Sequence, residues 1–187
     1  DGEILVRGEL VMHGYWRNEV ETARVLKDGW LHTGDIGLID EGGRIKITDR
    51  KKDIIVNDKG ENVAPQKVEG MLTLQPEISQ AMIAGDRRPY MVAVIVPDPE
   101  WTQEWCAANR AVCDFKRLAE DSGYRAALNA AVDRVNQDLT VTERFRRFIL
   151  ADRPFTIENE QLTPSLKIRR HILRQVYGER LDALYKG

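Results

Sequence analysis

Cysteine is scarce in this 187-residue chain, which holds only Cys106 and Cys113. Two thiols cannot build the dense disulfide framework of a small secreted domain. Neither they nor the three scattered histidines have the spacing of a zinc site, so no metal-ligand set is expected. An excess of one charge is missing as well: 28 basic residues face 30 acidic ones, a net −2. A general nucleic-acid binder would show a basic excess, so nucleic acid is not an expected partner. Long apolar runs are absent. The longest, residues 91–96, is far short of the ~20 residues of a spanning helix, and no signal peptide stands at the start. Reduced thiols fit a cytoplasmic protein.

What is present is enough sequence for a hydrophobic core without staples. The first residues, Asp1-Gly2-Glu3-Ile4-Leu5-Val6, read as a turn entering a strand with no initiator Met, so the chain is expected to come from the interior of a longer protein. Residues 3–7 alternate as a strand, 19–25 suit a short helix, and 36–39 and 44–48 suit strands around the Asp40-Glu41-Gly42-Gly43 loop. Three adjacent cations, Arg50-Lys51-Lys52, cannot be buried together at reasonable cost and mark an exposed connector. Beyond it come a short strand over 53–57, a turn at Asp58-Lys59-Gly60, and a helix over 65–74 opening on Pro65. Strands over 78–84 and 90–96 follow, then helices over 98–108 and 114–139, a strand over 146–150, and a basic helix or helix pair over 168–185 broken near Gly178. The expected fold is α+β, a small mixed sheet covered by helices over 51–187, preceded by a β-rich segment over 1–50.

Three polar islands join charge to turn-forming residues. In Thr33-Gly34-Asp35 the carboxylate can accept two hydroxyls at once, as a ribose diol requires, or simply cap a turn. Arg50 at a strand end can grip a diol or phosphate with its planar fork, or be a surface cation. Gly60 permits close backbone approach, or marks a plain turn. Glu69, one turn into its helix, reads as a structural anchor. Lys167 projects from the rigid Thr163-Pro164-Ser165 turn just before a basic helix. A cation there opposes the helix dipole, which favours a bound anion, although an ordinary lysine near a helix start is the simpler reading. From Thr163 onward six Lys/Arg face two acids, either a solvated helix face or an anion-facing surface.

Four stretches together resemble the C-terminal part of the adenylate-forming superfamily. They are Asp28-Gly29-Trp30-Leu31-His32-Thr33-Gly34-Asp35, Asp49-Arg50-Lys51-Lys52-Asp53, Gly60-Glu61-Asn62-Val63-Ala64-Pro65, and Leu162-Thr163-Pro164-Ser165-Leu166-Lys167-Ile168-Arg169. The connector and the ending look most like the long-chain fatty acyl-CoA synthetase branch. The resemblance implies an acid–thiol ligase that uses ATP, Mg²⁺ and CoA with a fatty acid, forming acyl-AMP and then the CoA thioester. It also implies the domains: 1–50 ends a large N-terminal domain, and 51–187 is a mobile C-terminal lid. It implies Asp35 on the ribose hydroxyls, Arg50 on ribose or phosphate, and Lys52 at the hinge. Gly60, Glu61 and Asn62 would lie beside the pantetheine path, with Lys167 on the carboxylate and α-phosphate during adenylation. The phosphate loop, the acyl pocket and the glutamate motif for Mg²⁺ lie upstream in such enzymes and are absent here. The chain is therefore expected to need its N-terminal domain and to be inactive alone. A lipid-like substrate leaves room for peripheral contact at the inner membrane face. One alternative is an acyl-AMP ligase serving a carrier protein, which the lack of an insertion between Arg50 and Pro65 disfavours. Another, of a different class, is a non-catalytic α+β interaction module.

Overall fold

The computed structural model describes residues 2–186. The chain forms two compact units, the first ending at Ile54 and the second beginning at Ile55.

In the first unit β1 spans Glu3–Val6, α1 Glu19–Val25, β2 Leu26–Lys27, β3 Trp30–Ile39 and β4 Ile45–Arg50. β1, β2 and β4 all pair antiparallel with β3. The β3–β4 hairpin closes on Asp40, whose carboxylate accepts the N–H groups of Gly42 and Arg44 at 2.9 and 3.0 Å, the expected chemistry of an Asp-led turn. Two sequence expectations need correction. β3 starts at Trp30, so Thr33, Gly34 and Asp35 lie within a strand rather than before one, and β4 runs through Asp49 to Arg50. The reason is distant pairing: β1 and β2 supply ladder partners for Leu31 and its neighbours, which no local pattern reveals. Pairing of β3 with β4 shifts register between Ile36 and Gly37. At Gly37 a Cβ would stand 2.8 Å from both Ile4 Cδ1 and the Lys46 carbonyl oxygen, so this close approach admits only glycine.

In the second unit β5 spans Ile55–Val56, β6 Asn62–Val63, α2 Pro65–Thr73, β7 Ile78–Ala84 and β8 Met91–Pro97. α3 (Pro99–Asn109), α4 (Phe115–Glu120) and α5 (Ser122–Gln137) lead to β9 (Phe145–Leu150), and α6 spans Arg170–Ala183. The main sheet has the order β7-β8-β9. β8 runs antiparallel to β7 and parallel to β9, so the sheet is mixed and the fold is α+β. Period-two alternation sends Ile83, Met91, Ala93 and Ile95 into one core with Val68 and Leu72 of α2 and Leu128 and Val132 of α5. Met82, Val92 and Val94 enter a second core with Leu173, Tyr177 and Leu181 of α6. β8 is covered on both faces, which explains the unbroken apolar run over 91–96.

The helix expected over 114–139 is two helices. Asp121 ends α4 and caps α5, accepting the Tyr124 N–H at 2.8 Å. A side-chain acceptor followed by Ser122 and Gly123 is a helix start placed inside a helical apolar pattern. The break expected near Gly178 is absent, because α6 continues through it. An interior glycine costs about 1 kcal/mol against alanine, whereas burying a large apolar side chain gains roughly 1.5–3 kcal/mol. α6 buries Leu173, Tyr177 and Leu181, so packing outweighs propensity.

Candidate functional site

In the first unit Asp35 and Arg50 are direct partners across β3 and β4. Their side chains pair at 2.8 Å, Arg50 Nε to Asp35 Oδ1, and remain 46% and 26% exposed. A surface pair of this kind is worth about 0–1 kcal/mol, so a diol or phosphate can displace it at little cost. Strand geometry thus brings together two residues that the sequence could only nominate separately.

The Thr33-Gly34-Asp35 backbone is held from below. Thr33 Oγ1 donates to the Ile4 carbonyl at 2.7 Å and accepts the Asp35 N–H at 3.1 Å. Gly34, at φ +72°, donates its N–H to Glu3 at 3.0 Å. The same carboxylate accepts Lys51 Nζ at 3.0 Å and faces His32 Nδ1 at 3.3 Å. The Lys51 hydrogen bond leads the forces that hold the Glu3 carboxyl down at about 2, with His32 and the Gly34 N–H adding to it. Glu3 went unrecognised in the sequence because its role arises only when β1 pairs with β3. Lys52 sits in the exposed turn after β4, where the N–H groups of Asp53 and Ile54 both return to the Arg50 carbonyl at 2.9 and 3.1 Å.

In the second unit the Gly60 loop joins β5 to β6. Glu61 and Asn62 are exposed, and Asn62 belongs to β6 rather than to a helix start. The loop is organised by buried Asn57. Its Oδ1 accepts the N–H groups of Lys59 and Glu61 at 3.0 and 2.9 Å, and its Nδ2 donates to the Glu61 carboxylate at 2.8 Å. Gly60 stands at φ +80° with nothing within 4 Å of a would-be Cβ, so its backbone is open to a ligand. Asn57 is a second residue that sequence reasoning missed, although Asn-led turn chemistry in Asn57-Asp58-Lys59-Gly60 was the available signal.

Lys167 closes a tight turn. The Thr163 N–H donates to the Lys167 carbonyl at 2.8 Å, the Lys167 N–H to Thr163 Oγ1 at 3.0 Å, and the Leu166 N–H to the Thr163 carbonyl at 2.8 Å. Leu162 and Ile168 bridge beneath it. Leu166 takes φ +59°, a left-handed conformation costing roughly 1–2 kcal/mol, which these hydrogen bonds offset. The Lys167 side chain is exposed and joins no ion pair among the described residues. It precedes α6 rather than standing within its first turn.

Glu69 ties the two stretches together. It lies on α2, downstream of the Gly60 loop, and grips Arg170 at the start of α6 through two hydrogen bonds of 2.7 and 2.6 Å. It also accepts the Ile83 N–H at 2.7 Å. Its partner was not legible in the sequence.

Residues 52–187 match the family model of the AMP-binding enzyme C-terminal domain. The chain belongs to this family. A long-chain-fatty-acid–CoA ligase of Mycobacterium tuberculosis is 41% identical over 187 residues, covering 99% of this chain and 31% of that protein. The peroxisomal long chain acyl-CoA synthetase 6 of Arabidopsis thaliana is 37% identical over 190 residues, covering 99% and 27%. Among solved structures, the adenylation domain of a carboxylate reductase from Mycobacterium chelonae superposes with a TM-score of 0.83 at 30% identity, covering 100% of this chain and 28% of that one. The chain thus spans less than a third of the length of the relatives it matches. Among the described residues no group of three His, Cys, Asp or Glu side chains could hold a metal ion.

Proposed function

We propose that this chain is the C-terminal part of an ATP-dependent fatty acyl-CoA synthetase. Residues 1–50 end the large adenylation domain, 51–187 form the mobile lid, and Lys167 is the lid's catalytic cation. In the first step a fatty acid carboxylate attacks the α-phosphate of ATP, and pyrophosphate leaves. Asp35 accepts the ribose hydroxyls. Arg50, freed from Asp35, turns to ribose or phosphate oxygens. Lys167 neutralises charge developing between the carboxylate and the α-phosphate, the kind of preorganised stabilisation that acts where charge appears. In the second step the lid turns about Lys52, Lys167 withdraws, and the Gly60-Glu61-Asn62 loop lies along the pantetheine arm while the CoA thiol displaces AMP.

The observation that carries this reading is the Lys167 turn: an exposed ammonium in no ion pair among the described residues, on a backbone closed by three hydrogen bonds. A lysine so displayed has its charge available to a ligand oxygen. Peripheral action at the cytoplasmic face of a membrane fits a lipid-like acid. Among the described residues no helix is long and apolar enough to cross one. A second reading hands the acyl group to a carrier protein, and the likeness to the A-PCP didomain of a carboxylic acid reductase from Segniliparus rugosus, at 30% identity and a TM-score of 0.81, favours it. The higher identity to CoA ligases supports CoA as acceptor.

The test uses the longer protein that contains this chain. Lys167→Ala is expected to lower acyl-AMP formation by about 10²–10³, while CoA transfer from supplied acyl-AMP changes far less. Equal loss in both half-reactions would remove the assignment. The 187-residue chain alone is expected to form no acyl-AMP from ATP and fatty acid.

A further inference from the structure

Cys106 and Cys113 are the chain's two thiols, and the fold brings them to one face of α3. Helix α3 carries Thr102 and Cys106 one turn apart on one face. The chain leaves α3 through Arg110, at φ +53°. The Ala111 N–H then donates to the Cys106 carbonyl at 2.9 Å, so the segment doubles back along the helix. Cys113 Sγ consequently lies 4.0 Å from the Thr102 carbonyl oxygen, the acceptor of the Cys106 N–H in the helical ladder. The returning segment thus sets Cys113 against the α3 face that carries Thr102 and Cys106. Their access differs: Cys113 is exposed, whereas Cys106 is buried at 5% exposure. Burial pushes the Cys106 thiol up to about 11, so Cys106 stays protonated and slow toward oxidants.

We propose that Cys113 and Cys106 form a peroxide-responsive dithiol, in which a hydroperoxide oxidises exposed Cys113 and buried Cys106 resolves it as an intramolecular disulfide. In the first step the Cys113 sulfur attacks the distal oxygen of the hydroperoxide. An S–O bond forms, the O–O bond breaks, and an alcohol leaves (water, when the oxidant is hydrogen peroxide), giving the sulfenic acid. In the second step the Cys106 sulfur attacks that sulfenic sulfur. The S–S bond forms, the S–O bond breaks, and water departs with the Cys106 proton. Two thiols are oxidised to one disulfide as one hydroperoxide is reduced. The product staples the last turn of α3 to the segment before α4, beside the Trp105–Tyr124 contact at 5.2 Å.

The test treats the full chain, purified and freed of reductant, with hydrogen peroxide. Remaining thiols are then alkylated under denaturing conditions and mapped. Trypsin cuts at Arg110 between the two cysteines, so a disulfide appears as two joined peptides, two hydrogens lighter than their sum. Both thiols are expected to disappear together without dimerisation and to return with dithiothreitol. In Cys113→Ser, loss of the Cys106 thiol is expected to slow at least about tenfold. In Cys106→Ala, Cys113 is expected to proceed to sulfinic acid or to an intermolecular dimer. Over-oxidised Cys113 beside a free Cys106 thiol in the parent chain would overturn the proposal, as would undiminished oxidation of Cys106 in Cys113→Ser. Peptide mapping of the parent chain decides the matter even if a variant fails to fold.

Discussion

Arg170→Ala tests how the second unit holds its Lys167 turn. Arg170 and Glu69 are 18% and 9% exposed, and their two hydrogen bonds are 2.7 and 2.6 Å long. Truncating the arginine removes both guanidinium hydrogen bonds from a nearly buried carboxylate that also accepts the Ile83 N–H. Breaking a buried pair from one side costs about 3–5 kcal/mol. The partial exposure of Arg170 lets water reach the stranded carboxylate, which argues for the lower end, about 3 kcal/mol. Against a domain stability of about 5–15 kcal/mol and a urea slope of about 1–3 kcal/mol per molar, the midpoint should fall by about 1–3 M. Urea unfolding of the full chain followed by far-UV circular dichroism reads this directly. The double variant Glu69→Met with Arg170→Leu strands no charge and costs chiefly the acceptor lost by the Ile83 N–H, about 1–3 kcal/mol. It should therefore be no worse than Arg170→Ala. A midpoint for Arg170→Ala within about 0.3 M of the parent would refute the reasoning, and so would a double variant clearly less stable than the single.

Three further outcomes are expected. Asn57→Ala removes the acceptor of two loop N–H groups and should destabilise by about 1–3 kcal/mol, with faster hydrogen exchange at Lys59 and Glu61 than elsewhere in the second unit. Glu3 titrates from an ordinary 4.5 to about 2 in the folded chain. The stability it contributes is present above pH 4.5 and lost as pH falls toward 2, so Glu3→Gln should flatten the acid limb of the stability curve, and an unchanged limb would contradict the Lys51 pairing. Under the proposed function Lys52→Pro should slow thioester formation more than adenylation in the intact protein. The Lys52 N–H donates no backbone hydrogen bond among the described residues, but Lys52 is the third residue of the Arg50–Asp53 turn, where proline disfavours the turn conformation of Lys51, so the change acts on the connector itself, and an unaltered thioester rate would remove the hinge role.

Much of the fold was legible because local chemistry agreed with tertiary packing. The runs over 78–84 and 91–96 carry β-branched and apolar residues that fit strands, and Pro65 opens α2 as its fixed φ suits. The misplaced boundaries have one cause in common, a partner distant in sequence. β3 extends back to Trp30 because β1 and β2 lie beside it, and α6 passes Gly178 because Tyr177 and Leu181 are packed. The Asp121 break is the exception, a capping signal present in the sequence but masked by apolar spacing on both sides. In the candidate site the turn residues were readable one at a time. The groups that fix them were not: Glu3 beneath Gly34, Asn57 inside its loop, and Arg170 on Glu69 each act through side-chain contacts that exist only after folding.

The form of the Lys167 turn bears on how the proposed lysine arrives and leaves. Flexing the turn alone would break the hydrogen bonds among Thr163, Leu166 and Lys167, each worth about 0.5–1.5 kcal/mol, and would pull on buried Leu162. Arg170, held by Glu69, blocks the same motion from the α6 side. Lys52 is exposed and lies just before the division between the compact units at Ile54, and its own N–H donates no backbone hydrogen bond among the described residues. Rotation at Lys52 therefore breaks no bond of its own and buries no side chain, so under the proposed function the lysine travels with its whole unit rather than on a flexing loop. Substituting Gly for Pro164 should then leave both half-reactions of the intact protein nearly unchanged in rate. If that loosening accelerated the loss of acyl-AMP to CoA, the turn itself would be the moving part and the rigid-unit argument would fail.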